Sequence, residues 1–163
     1  MKPTAFKSLA AAFALGALVL ASPGALAQDA TLKVEDAWVR ATVPNQHATG
    51  VFMRLTSPTA ARLVGVESAA AKHAEVHEMA MQDNVMKMRQ VPAIDLPAGK
   101  PVELKPGGYH VMLIDLARQI SVGDPVALTL LVQDADGKQR RVPVTAQARP
   151  LAAAATPAAG HTH

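Results

Sequence analysis

Residues 77–112 read HEMAMQDNVMKMRQVPAIDLPAGKPVELKPGGYHVM, and this stretch contains the candidate metal donors of the domain. Five of the seven methionines lie in it. Imidazole and thioether side chains recur at His77, Met88, His110 and Met112. Ten, 21 and one residues separate these four positions in turn. Short segments on both sides of residues 83–84 are typical of β-strands. The stretch therefore predicts strands that carry nitrogen and sulfur donors at fixed positions.

The rest of the chain shows the same pattern of short segments separated by Pro, Gly, Asn and Asp, with no long helical period. Regular short strands of this kind predict an all-β antiparallel sandwich or barrel. The sequence Lys105-Pro106-Gly107-Gly108 predicts a type II turn that leads directly into His110. The predicted strands are 32–39, 51–56, 62–67, 75–81, 85–91, 102–104, 110–116, 126–132 and 140–145.

Strand alternation and a two-residue turn at Asp83-Asn84 predict how the donors are arranged. Side chains two residues apart share a face, so one hairpin face carries five donors. His77 is diagonal to Met88 in this register, about 7–8 Å away between backbone positions. His110 and Met112 also share a face, and they converge with the hairpin donors if their strand lies beside it. The five hairpin donors are His77, Met79, Met81, Met86 and Met88.

The donor set indicates a soft metal. Thioether sulfur is uncharged and favours Cu(I), and it offers little to zinc, magnesium or calcium. Only the histidines must be deprotonated, so acid weakens binding through them alone. The chain has no cysteine, which excludes a disulfide, a zinc ribbon and thiolate chemistry.

Structural explanations compete for the same residues. Methionines on a strand face, such as Met79 and Met86, are commonly core packing. Met53 alternates with apolar neighbours, so core packing is the better account of it. His47 and His73 lie outside the repeated spacing, and we expect them on the surface. The burial of the methionines decides between the two accounts, because core side chains are enclosed and ligands open toward solvent.

The two ends of the sequence differ from the middle. Lys2 and Lys7 precede an apolar run at residues 9–21 and an Ala-x-Ala site, which predicts a signal peptide, residues 1–27, cleaved after Ala27. That run is shorter than the roughly 18 residues of a spanning helix, so we expect no membrane anchor. No cysteine follows it, so a lipid anchor is not expected either. The domain is predicted at 28–149, followed by a flexible alanine- and proline-rich tail at 150–163.

The net charge and the absence of two catalytic motifs argue against two further classes of protein. Removing the leader with its two lysines lowers the formal charge from +3 to +1. A nearly neutral chain gives no reason to expect nucleic-acid binding. Neither a Gly-x-Ser-x-Gly elbow nor a His-Glu-x-x-His motif is present, so a hydrolase is not indicated.

The spacing of His77, Met88, His110 and Met112, with the surrounding motifs, resembles the periplasmic PCuAC family of copper chaperones. The likeness spans residues 34–145. The motifs that carry it are DAWVRATVP, RLVGVES, VMKMR, LPAG and VELKPGGYHVML.

The resemblance implies a cupredoxin-like β-barrel, located in the periplasm, that carries Cu(I) on His77, Met88, His110 and Met112. It also implies a non-enzymatic role in cytochrome oxidase assembly, with copper passed to the copper A centre or to a partner chaperone. We expect a monomer. Auxiliary donors are predicted at Met79, Met86, His161 and His163.

The tail histidines His161 and His163 are expected to assist Cu(II) capture or hand-over. A flexible tail of this length spans roughly 20 Å, enough to reach a site near its anchor. Cu(II) binding that is unchanged after removal of the residues beyond Pro150 would contradict this hypothesis.

Two other classes of protein remain open at this point. One is a redox or electron-transfer domain on a similar barrel, although a blue-copper centre needs a cysteine thiolate. The other is a secreted structural domain whose methionines belong to the core.

Overall fold

The computed structural model describes residues 31–150, and every regular element in that range is a β-strand. No helix in these residues is long and apolar enough to cross a membrane. The predicted leader and the predicted tail with its two histidines lie outside the described residues. The strands are β1 (Lys33–Arg40), β2 (Ala48–Thr56), β3 (Ala61–Glu67), β4 (Ala71–Gln82), β5 (Val85–Gln90), β6 (Ile94–Leu96), β7 (Pro101–Leu104), β8 (Tyr109–Leu116), β9 (Pro125–Asp134) and β10 (Gln139–Arg149).

The strands form one sheet in the order β5-β4-β8-β7-β2-β1-β10-β9-β3-β6, with an additional pairing of β8 with β2. The pairings are antiparallel except for β1 with β10 and β7 with β8. β8 has three neighbours, namely β4, β7 and β2. β5 lies at one edge of the sheet, against β4. The three strands that carry the predicted donors, β5, β4 and β8, are therefore side by side.

One hydrophobic core joins the two halves of the sheet. Val76 and Val111 enter it from β4 and β8, and Leu63 and Leu130 enter it from β3 and β9. Each side chain of this size stabilises the fold by about 1.5–3 kcal/mol when it is fully buried. Because side chains alternate along a strand, the residues on either side of Val76 and Val111 point to the opposite face of the sheet. That face carries the predicted donors.

All nine predicted strands are present, so the all-β prediction is confirmed. β4 begins at Ala71 and β10 continues to Arg149, both several residues beyond the predicted ends. The added residues are rich in alanine, which has low strand propensity, and they pair because β8 and β9 offer partners. Strand β6, of three residues, is not among the predicted strands.

Candidate metal centre

The hairpin of β4 and β5 has the register that the sequence predicts. Asp83 and Asn84 both have positive φ, 51° and 60°, as a two-residue type I′ turn requires. The turn fixes which residues oppose each other, and a slip of one residue would move the donors to opposite faces. The opposed pairs nearest the turn are Gln82 with Val85, Met81 with Met86, and Met79 with Met88.

Strand β8 lies on the other side of β4 and brings its donors to the same place. His110 is directly opposite His77, and the centroids of the two rings are 5.9 Å apart. Met112 is two residues along, opposite Glu75. The chain therefore brings the two imidazoles together from strands that are 33 residues apart in sequence.

The predicted type II turn sets the start of β8. Gly107 has a φ of 81°, and the Gly108 N–H donates to the carbonyl oxygen of Lys105 at 3.1 Å. Only glycine adopts such a φ without strain. The Gly108 carbonyl in turn accepts the N–H of Met79 at 3.1 Å, so this turn is tied to the methionine hairpin.

The His110 ring presents one nitrogen to the methionine hairpin. Its Nδ1–H donates to the Gly108 carbonyl oxygen at 3.0 Å, because that oxygen can only accept. In the neutral ring, Nε2 then carries the lone pair, and it lies 3.2 Å from the sulfur of Met88. The nitrogen and the sulfur are thus close enough for one soft cation to bind both.

The His77 ring has a free nitrogen of its own. Its Nε2 lies 2.8 Å from Oε2 of Glu75, so the ring donates its proton to that carboxylate. Nδ1 is buried and has no hydrogen-bond partner among the described residues. An unpaired buried polar atom costs about 1–3 kcal/mol. Binding of a metal ion would satisfy this nitrogen.

An open depression of about 300 Å³ lies over these donors. Met88, His110 and Met112 line it, together with the auxiliary candidate Met79. His77 is 9% exposed and lies beside His110 rather than in the wall of the depression. The structure therefore gathers three of the four predicted ligands around one opening and places the fourth against them.

Burial separates the donor methionines from core methionines. Met88 and Met86 are 51% and 44% exposed, whereas Met53 is 3% exposed. The prediction that Met53 is core packing is confirmed. The core-packing explanation fails for Met86, and His47 and His73 are exposed as predicted.

Aromatic rings support the site from the side of β2 and β1. The Phe52 ring is 6.3 Å from the His110 ring, and Trp38 stacks on Phe52 with centroids 4.5 Å apart. Gly50 leaves room for this packing, since a Cβ there would lie 2.7 Å from Cζ of Phe52. The guanidinium of Arg40 lies over the same ring at 5.7 Å. Phe52 thus fixes one side of His110.

Sequence reasoning missed Glu75, Gly50 and Phe52. Alternation along β4 puts Glu75 on the face of His77, and that signal was available in the sequence. The contribution of β2 depends on its pairing with β8, which no local pattern indicates. Within residues 31–150, no group of three His, Asp or Glu side chains could hold a metal ion.

The fold and the donor set define a β-barrel domain with a soft-donor site on one face. Residues 32–144 match the model of the LpqE-like family, described as "Putative lipoprotein LpqE-like". A protein of Leifsonia xyli subsp. xyli (strain CTCB07) named "Putative lipoprotein Lxx21020" is 30% identical over 114 residues, which are 69% of each chain. The chain belongs to the LpqE-like family.

Solved structures confirm the cupredoxin-like fold. The apo PCuAC domain from PmoF1 has a TM-score of 0.60 at 25% identity, and the match covers 73% of this chain and 93% of that domain. The Cu(I) form of DR1885 from Deinococcus radiodurans has a TM-score of 0.55 at 32% identity, with 78% of this chain and 83% of that one covered. The chain is thus homologous to PCuAC domains.

Proposed function

We propose that this protein is a copper chaperone that binds one Cu(I) through His77, Met88, His110 and Met112. The observation that carries the proposal is the approach of His110 Nε2 to the Met88 sulfur at 3.2 Å, with both lone pairs available. Neutral nitrogen and thioether donors select monovalent copper over harder cations. The Cu(I) form of a homologous structure supports the same metal.

The geometry favours a carrier over a resident cofactor site. All four proposed ligands are neutral, so copper is not retained by negative charge on its ligands. Met88 is half exposed at an edge strand, where an incoming ligand can approach. Copper is therefore the cargo of the protein, and the chain needs no catalytic group.

We further propose that the mature chain acts in the periplasm and passes Cu(I) to the copper A centre of an oxidase or to a partner chaperone. The lipoprotein names of its relatives are consistent with a family outside the cytoplasm. Mixing the Cu(I)-loaded chain anaerobically with an apo copper A domain tests direct delivery, and copper that stays on the donor at equilibrium would contradict the copper A centre as the recipient. His161 and His163 enter the proposal only as assistants in Cu(II) capture or hand-over.

Anaerobic titration tests the metal and its stoichiometry. We expect one tightly bound Cu(I) per chain in competition with bicinchoninate. X-ray absorption of the loaded protein is expected to show both nitrogen and sulfur neighbours, since imidazole and thioether donors meet at one point. A copper shell without sulfur, or no binding against the chelator, would refute the proposed function.

Glu75 is expected to tune the affinity through His77. Replacing Glu75 with alanine removes the acceptor that orients the ring, and we expect Cu(I) affinity to fall by about 10–100-fold, as for other second-layer partners of metal ligands. Glu75→Gln keeps an acceptor oxygen and is expected to restore part of the affinity. Competition with a chelator measures the Cu(I) affinity of the wild type and of the two Glu75 variants.

The matched control is Glu78→Ala on the same strand. Glu78 pairs with Arg89 at 2.7 Å and alternates away from the donor face. Its replacement is expected to leave Cu(I) affinity unchanged. Wild-type affinity in Glu75→Ala would show that the carboxylate does not orient His77.

A further inference from the structure

The outer part of the hairpin exposes more apolar surface than the fold needs. Six large hydrophobic side chains of the described residues are strongly exposed, and four of them are on this hairpin: Met81, Val85, Met86 and Met88. All six residues of β5 are exposed. Exposed apolar groups that cluster in this way mark a site of interaction.

Two of the four form a pair of sulfur donors beyond the main site. Met81 and Met86 are directly opposite each other, so their Cβ atoms are about 4.5–5.5 Å apart. Long, flexible thioether side chains from such positions can bring both sulfurs to one cation. Met81 is 64% exposed, so the pair is open to solvent. Neither side chain belongs to the hydrophobic core.

Met88 connects this pair to the main site. It lines the depression that contains His110 and Met112, and it also lines a second depression of about 380 Å³ that Met81 borders. Met81 and Met86 are one two-residue step from Met79 and Met88, which is about 6.8 Å along the strands. A cation held by Met81 is therefore one such step from the Met88 sulfur, across a depression that Gln82, Lys87 and Arg89 also line.

We infer that Met81 and Met86 form a second, weaker Cu(I) site that loads and unloads the main site through Met88. This inference rests on the proposed function. The transfer is a ligand exchange, in which a copper–sulfur bond to Met88 forms as a bond to Met81 or Met86 breaks. Copper stays monovalent, and no proton or electron moves. The outer pair offers fewer donors and no imidazole, so it holds copper less tightly than the main site.

The double substitution Met81→Leu with Met86→Leu tests the inference. Leucine keeps the apolar surface and approximate volume and removes only the sulfur. Neither Met81 nor Met86 lines the depression of the main site, so we expect the main-site affinity to stay unchanged. The rate of loading from Cu(I)–bicinchoninate is expected to fall by about tenfold, equivalent to about 1.4 kcal/mol in the barrier. Stopped-flow absorbance of the chelator complex measures the rate.

Methyl NMR gives an independent readout. With the methionine methyl groups labelled, the Met81 and Met86 signals of the wild type are expected to shift as a second equivalent of Cu(I) is added. Val85→Ala is the matched control, since it removes exposed apolar surface from the same hairpin without removing sulfur. It is expected to load at the wild-type rate.

The outcomes separate this inference from the proposed function. A wild-type protein that binds no Cu(I) refutes the proposed function. A wild type that binds one Cu(I), with a leucine variant that loads at the wild-type rate, overturns only the outer site. Equal slowing in Val85→Ala would also overturn it, because apolar docking rather than sulfur would then set the rate.

Discussion

Replacing Met88 and His110 together with alanine is expected to lower Cu(I) affinity by at least about 1,000-fold, equivalent to about 4 kcal/mol of binding free energy. The Met88 sulfur and His110 Nε2 are 3.2 Å apart. Their removal leaves one imidazole and one thioether of the four proposed ligands. Anaerobic competition with bicinchoninate measures the loss.

The single variants distinguish ligation from folding. Met88 is half exposed, so Met88→Ala removes a donor with little loss of packing. His110 is 6% exposed beside Phe52, so His110→Ala also leaves a gap in the sheet. His73→Ala removes an exposed imidazole from β4 and serves as the control. If the double variant keeps wild-type affinity in a folded chain, the ligands are elsewhere.

Replacing Leu113 with alanine is expected to lower the free energy of unfolding by about 2–5 kcal/mol, the cost of emptying a well-packed core position. Leu113 is fully buried and follows Met112 on β8. Urea unfolding followed by circular dichroism measures the shift in midpoint at constant slope. The control is Val122→Ala, because Val122 is 62% exposed.

Copper is expected to offset part of that loss. A ligand that binds only the folded chain stabilises it by about 2.7 kcal/mol at a free concentration 100 times its Kd. Anaerobic Cu(I) should therefore raise the unfolding midpoint of Leu113→Ala, as long as β8 keeps its place. If Leu113→Ala and the wild type, both free of copper, unfold at the same urea midpoint, Leu113 is not a core residue.

The local part of this structure could be predicted from the sequence. The alternation of donors and the two residues Asp83 and Asn84 specify a hairpin in one register, and the structure has that register. The prediction works because the period of two and the positive φ of a tight turn are properties of a few neighbouring residues. The same holds for the turn at Gly107, which sets the start of β8.

The non-local part could not be predicted in the same way. Nothing in the neighbourhood of His77 specifies that β8 lies beside β4, and the meeting of His77 with His110 depends on that pairing. The packing of Phe52 against His110 likewise requires β2 to reach β8. The expectation that these donors meet came from the resemblance to a family. Strand alternation showed only that the donors share a face if their strands are neighbours.

The position of β8 and β5 in the sheet gives the site two unequal sides. β8 pairs with three strands, so the backbone of His110 and Met112 is hydrogen-bonded to neighbours on both sides. β5 is held by β4 alone among the described strands, and edge segments with few buried contacts open locally at low cost. Fraying of one short strand can withdraw the Met88 sulfur while both imidazoles stay in register. Under the proposed function, a recipient would take the ion from a site that has lost one thioether ligand, and the barrel would not have to unfold.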